Sequence, residues 1–345
     1  MDIMTWIATF GINKGTPSPG PDPGPDPGGD SSIDGLIDGT ASTYYNSTVT
    51  GIAPYMFASN SALTSVDFPA VTSIGSQAFD WCSKLTSINF PAATEIGSNA
   101  FNACRALTSI SFPAAEIIDY GAFANCYELL TVDFPSAKSI GTYAFSNCSK
   151  LTSINFPSVE TIGANAFSFC SKLTEASFPC AISISSGAFC SCYNLSNIYF
   201  PVLTSISANA FKSCQSLTNI SFPNVLSIGG TAFNGCRMLT SISVPALKTI
   251  NAMAFTHCSA LTAISLPAVS SIGADAFMGC ISLVSMYLNV SSIPGMNTTA
   301  LSETPIGKSS YTGSFGSIFV PSSLYESFIS ASGWRVYSDR IVPYF

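Results

Sequence analysis

The stretch that decides the fold is "LTSINFPSVETIGANAFSFCSK", Leu151 to Lys172. As soon as it ends it begins again: "LTEASFPCAISISSGAFCSCYN" runs from Leu173 to Asn194. Leucine stands at Leu63 and at every twenty-second position up to Leu283. The consensus unit is L-T-S-I-x-F-P-A-V-x-S-I-G-x-x-A-F-x-x-C-S-x, and Ile52 and Phe57 already fit its register. A fixed period of this kind marks stacked repeats. One such unit cannot bury its own apolar side; neighbours laid on each other share a continuous core.

The unit can be folded from its residues. L-T-S-I-x-F carries the L-x-x-L-x-L strand pattern of leucine-rich repeats, which points Leu151, Ile154 and Phe156 inward. Pro157 ends that strand because it has no N–H for a ladder. "SVETIG" supplies a second short extended piece with Val159 and Ile162 inward. Gly163 suits a turn with positive φ, as do Gly75, Gly97, Gly141, Gly229 and Gly273 in the same column. Asp119, Ser185, Ser207 and Asn251 fill that column elsewhere. "ANAFSFC" is predicted to make about two turns of helix, with Phe167 and Cys170 on one face. The expected class is an α/β repeat solenoid: a leucine-rich repeat of strand, second extended segment and short helix, with a parallel sheet on one face. At about 4.8 Å per strand, eleven turns make a rod or shallow arc of about 50 Å.

The units "LTSINFPSVETIGANAFSFC" and "LTSISFPAAEIIDYGAFANC" resemble the BspA-like leucine-rich repeat family of bacterial surface proteins. The resemblance covers Ile52 to Met286, about two thirds of the chain, and rests on A-F-x-x-C and the S-I-G turn recurring with the leucine strand. It implies adhesion or binding, to a protein or glycan on a host or neighbouring cell surface, and a place outside the cell.

Composition narrows the partners further. Charged residues make up 9% of the 345-residue chain and the net charge is −7, so the basic footprint of a nucleic-acid binder is missing. No lysine and arginine cluster suits an anionic membrane surface. No apolar run reaches the roughly 18 residues needed to span a bilayer, so membrane insertion is not expected. The first segment, "MDIMTWIATFGINK", carries Asp2 and no basic start, and does not read as a secretory signal.

Residues 1–14 form an apolar segment and a candidate docking peptide for a larger assembly. Residues 15–30, "GTPSPGPDPGPDPGGD", are an extended Pro/Gly/Asp linker. Residues 31–51 lead in as an N-terminal cap, 52–286 are the solenoid, and 287–345 are a C-terminal cap. In that tail "SIFVP" reads as a strand and "SSLYESFISASGW" as a helix capped by Ser322 or Ser323, with Leu324, Phe328 and Ile329 on one side. An apolar tag, a spacer and a rod also suit a structural component of a surface or virion appendage.

Ten of the twelve cysteines recur in one column: Cys82, Cys104, Cys126, Cys148, Cys170, Cys192, Cys214, Cys236, Cys258 and Cys280. Metal sites use clustered ligands such as C-x-x-C with His, whereas one cysteine per turn is the habit of a small buried hydrophobe. A disulfide between turns would need Cβ atoms about 3.8 Å apart, closer than stacked parallel vectors allow. Cys180 and Cys190 stand outside the column and are either a local bridge or unpaired. The single histidine, His257, adjoins Cys258, but shares its column with Trp81, Ala103, Asn125 and Phe169, a variety that marks the surface. No triad, carboxylate pair or phosphate loop is present, so the chain reads as non-enzymatic and without a cofactor or bound metal.

Binding residues are sought where the units differ. Two outward rows flank the inward Ile of each strand. One holds Glu175, Asn197 and Asn219; the other holds Asp133, Asn155 and Tyr199. These six are the candidate ligand-binding residues, with Glu175, Asn197 and Tyr199 the most distinctive group. Trp81, Tyr127, Phe169 and Tyr193 add exposed aromatics beside the last part of the unit.

Overall fold

The computed structural model describes residues 42–307 and 315–344. The expectations for residues 1–14 and 15–30 lie outside these. In the unit that begins at Leu151, Ser153–Asn155 is a strand with Ile154 buried between exposed Ser153 and Asn155. Thr161–Ile162 is a second, shorter strand. Both pair in parallel with their counterparts one period on, Ile154 opposite Ala176 and Ile162 opposite Ile184. The chain is thus a parallel β-solenoid of about 13 turns.

The third part of the unit is not the helix predicted from the sequence. Ala164 to Phe169 is a run of turns. Asn165 and Phe169 take φ of 54° and 61°, which breaks any right-handed helix. Alternate amides reach across to the next unit instead of back to i−4: Asn165 N donates to Ser186 O at 2.9 Å and Phe167 N to Ala188 O at 2.8 Å. The amides between them close i→i−3 turns inside the unit, as Ser168 N does to Asn165 O at 3.1 Å, so every second amide goes to the neighbouring unit and no i→i−4 ladder forms. The only α-helix among the described residues, α1 (Tyr325–Ser330), lies in the C-terminal tail.

The glycine column also differs from expectation. Gly163 and its equivalents do not have positive φ; the left-handed positions come two and six residues later. At Gly163 the constraint is space. A Cβ on Gly163 would lie 2.5 Å from the Gly141 carbonyl carbon and from Thr142 N in the turn beneath.

Two rows of parallel strands run along the solenoid. The second strands form one unbroken sheet of twelve, from Gly51–Ile52 to Gly295–Met296. The first strands form several smaller sheets, interrupted after Ser87–Asn89, Thr131–Asp133, Asn197–Tyr199 and Ser241–Ser243. Two phenylalanine columns explain this. Along the turn side, rings from Phe57 to Phe277 stack with centroids 4.8 to 5.4 Å apart. Along the strand side the spacing widens to 6.0 Å at Phe90–Phe112 and at Phe134–Phe156, the first two interruptions. Thus the strand side is the longer one, and its ladder opens at intervals. At the first three openings Ile88, Val132 and Ile198 become partly exposed.

The columns do not stop at Met286, where the 22-residue period ends. Gly295–Met296 pairs with Ser271–Ile272, and Ser317–Pro321 pairs with Ser285–Tyr287. Ala300 and Leu301 take the place of Ala-Phe, with Phe277 N donating to Ala300 O at 2.9 Å. Among the described residues the first element of the stack is Thr43–Tyr45, whose Tyr44 stands in the isoleucine column against Phe68. The tail closes over the last turn: Trp334 is fully buried, its Nε1 donating to Pro294 O at 2.7 Å, and Phe328 meets it edge-on. Helix α1 begins after a 3₁₀ turn, Ser322–Leu324, with no side-chain cap. Ser322, predicted as a cap, instead donates its hydroxyl to Tyr344 O at 3.0 Å.

Candidate functional site

The core carries little that could react. Each of the ten column cysteines is buried and unpaired, and each donates its Sγ–H to the carbonyl of the phenylalanine 25 residues earlier. Cys170 reaches Phe145 O at 3.2 Å, while Cys148 N, in the same unit as Phe145, takes that oxygen's other lone pair, also at 3.2 Å. Thus the column both packs and satisfies a buried acceptor. Burial pushes the Cys126 and Cys170 thiols up to about 12, away from the thiolate that acts as nucleophile or ligand. Cys180 and Cys190 are free, Cys180 exposed and Cys190 half-buried. His257 is exposed while Cys258 is buried against Phe233 O, so the backbone turns the two apart. Among the described residues no group of three or more His, Cys, Asp or Glu could hold a metal ion.

The outward rows behave differently. Asn155, Glu175, Asn197 and Tyr199 line one groove on the strand side, of about 620 Å³. It spans the three strands Ser153–Asn155, Glu175–Ser177 and Asn197–Tyr199, and crosses an interruption to reach Thr131 and Val132. Glu175 pairs in register with Asn197, whose Nδ2 donates to Glu175 Oε1 at 3.4 Å. Tyr199 is 57% exposed and stands opposite Ser177. The floor is Ile154, Ala176 and Ile198. Ala176 is the one alanine in a column of Ile and Val from Val66 to Ile264, so the floor is lower there.

Asp133 and Asn219 belong to the same rows but lie outside the groove. Asp133 accepts from Ser111 Oγ at 2.9 Å; Asn219 Oδ1 accepts from Thr240 Oγ1 and Ser241 Oγ. Val132 and Ala176 were missed by sequence reasoning. Ala176 was visible as a gap in its column, whereas the exposure of Val132 depends on where the ladder opens.

Trp81, Tyr127, Phe169 and Tyr193 are exposed along the turn side. The Arg105 guanidinium sits 4.9 Å from the Trp81 ring and 5.6 Å from that of Tyr127. Ion pairs such as Lys138–Glu116 at 2.8 Å and Lys150–Glu128 also bridge successive turns, but they are exposed and contribute little. Among the described residues no helix is long and apolar enough to cross a membrane.

In-register turns with leucine, isoleucine and phenylalanine columns, and a variable polar face over them, define a leucine-rich repeat solenoid. The chain belongs to the BspA type leucine rich repeat family, whose repeat region matches in six copies over residues 50–174, 94–215 and 204–323. Among solved structures, the chain is similar to a leucine-rich repeat protein from Bacteroides ovatus, at 22% identity and a TM-score of 0.46, covering 91% of this chain and 93% of that one. It is also similar to a leucine rich cell surface protein from Faecalibacterium prausnitzii, at 25% identity and a TM-score of 0.48, covering 86% and 82%. A leucine rich repeat protein of T. pallidum matches at 26% identity and a TM-score of 0.38, over 52% and 78%. No curated protein matches the chain.

Proposed function

We propose that this protein is a non-enzymatic recognition solenoid that works outside the cell and engages a protein or glycan on a host or neighbouring cell surface. The observation that carries this reading is the strand-side groove. Asn155, Glu175, Asn197 and Tyr199 converge there over a floor lowered at Ala176, while the residues of the repeat consensus are spent on the core. A groove of this size, with an apolar floor, an aromatic ring and a few polar groups, is the usual form of a binding site. Family membership supports the same reading, since a repeat scaffold leaves its outward rows free to vary while the buried columns stay fixed.

The test is a screen of the purified full chain against arrayed glycans and host matrix proteins, followed by the triple variant Glu175→Ala/Asn197→Ala/Tyr199→Ala on every positive. Loss of binding with an unchanged melting temperature supports the groove. Retained binding places the contact elsewhere.

A further inference from the structure

We propose a second recognition surface, on the turn side of the solenoid, that binds an uncharged oligosaccharide. It shares no residue with the strand-side groove and does not depend on it.

The first observation is conformational. Each unit places two residues in the left-handed region, where glycine or asparagine is the least strained choice. The chain puts large rings there: Trp81 at φ 59°, Tyr143 at 58° and Phe169 at 61°. These rings gain little from burial, being 49%, 39% and 49% exposed. A bulky residue in that region is a true outlier, and strain of this kind collects at functional sites.

The second observation is the space between the rings. Tyr120, Tyr143 and Phe169 border a depression of about 510 Å³, kept open by Gly121 and Ala124. That volume falls within the ~300–1,000 Å³ of small-ligand sites. The walls carry an amide ladder. Asn102 Nδ2 donates to Asp80 Oδ1 at 2.8 Å, Asn125 Nδ2 to Asn102 Oδ1 at 2.9 Å, and Asn147 Nδ2 to Asn125 Oδ1 at 3.0 Å. Each amide has two N–H groups and spends one on the ladder, which leaves the second for a ligand and fixes its orientation beforehand. Left-handed geometry alone accounts for Asn125 and Asn147, but not for Asn102 or for the rings.

Chemistry selects the occupant. No charged residue lines the depression, so an ionic ligand would find no counter-charge. A peptide adding itself as a strand would need free backbone groups, yet Asn99 N is bonded to Tyr120 O, Gly121 N to Thr142 O and Asn125 N to Ser146 O. A neutral pyranose offers what this surface complements: a C–H face for an aromatic ring, and hydroxyls that both donate to and accept from amides.

The experiment is calorimetric titration of the full chain with neutral cello-, xylo-, manno- and galacto-oligosaccharides, and with oligogalacturonate as the charged control. Wild type is expected to bind at least one neutral oligosaccharide and not the control. Tyr143→Asn/Phe169→Asn suits the left-handed backbone, so its melting temperature should be equal or higher while affinity falls at least tenfold. Tyr120→Ala, which leaves both left-handed residues in place and removes only the ring set edge-on against Tyr143, should weaken the same binding. The proposal is overturned if no neutral oligosaccharide binds at millimolar concentration, or if both variants bind like wild type. It is also overturned if the affinity is lost only in the Glu175→Ala/Asn197→Ala/Tyr199→Ala variant, which would assign the sugar to the strand-side groove.

Discussion

Cys148 shows what a single residue does when it recurs once per turn. Its thiol packs in the core and donates to Phe123 O at 3.3 Å, and burial raises its pKa well above the ordinary value of 9.0. Thiol reagents should therefore label exposed Cys180 within the native protein and reach the ten column cysteines only in denaturant. Fast native labelling of the column would contradict the packing. A pH dependence also follows. Nine column thiols hold their protons to higher pH folded than unfolded. Their contribution is complete below the unfolded value and is lost as pH rises from about 9 towards the folded value. Each such thiol contributes about 1.4 kcal/mol per pH unit over that range, so the losses of neighbouring thiols reinforce one another. Thermal melts from pH 7 to 11 should show a steep fall above pH 9; a flat profile would mean that the thiols are not buried in this way. The inward place of Cys148 was legible from its period. Its hydrogen bond was not, because the acceptor lies 25 residues away and is a main-chain atom of unchanging type.

At the scale of elements, the two strands of each unit were legible because alternating inward residues and Pro157 leave few other readings. The third segment was not. A-x-A-F-x-x-C has the i, i+3 spacing of a helix face, but every second amide bonds to the next unit, and nothing in one unit reveals that its neighbour will supply the acceptor. The same limit explains the glycines. Gly163 looked like a residue chosen for its φ, whereas its role is close approach to Gly141 and Thr142 of the preceding turn. Gly163→Ala should accordingly cost about 1–3 kcal/mol through forced backbone shifts. Ser213→Gly, at a truly left-handed position with φ 62°, should leave stability unchanged or raise it. Chemical denaturation of the two variants checks both; equal destabilisation would restore the φ explanation.

For the whole molecule, the decisive feature is the difference between its two long sides. The turn side stacks tightly and the strand side opens at intervals, so identical units yield an irregular face. Four of the six candidate residues meet in one groove, and those four could be picked out as departures from Ser in their rows. That Asp133 and Asn219 would fall outside was not legible, since it depends on where the strand ladder breaks. These two supply a control on the same face. The most direct measurement is the equilibrium affinity of any partner found in the screen for three proteins: wild type, Glu175→Ala/Asn197→Ala/Tyr199→Ala, and Asp133→Ala/Asn219→Ala. The groove predicts at least a tenfold loss in the first variant and a change of no more than about twofold in the second. Equal affinities across all three, or a loss confined to the second variant, would contradict it.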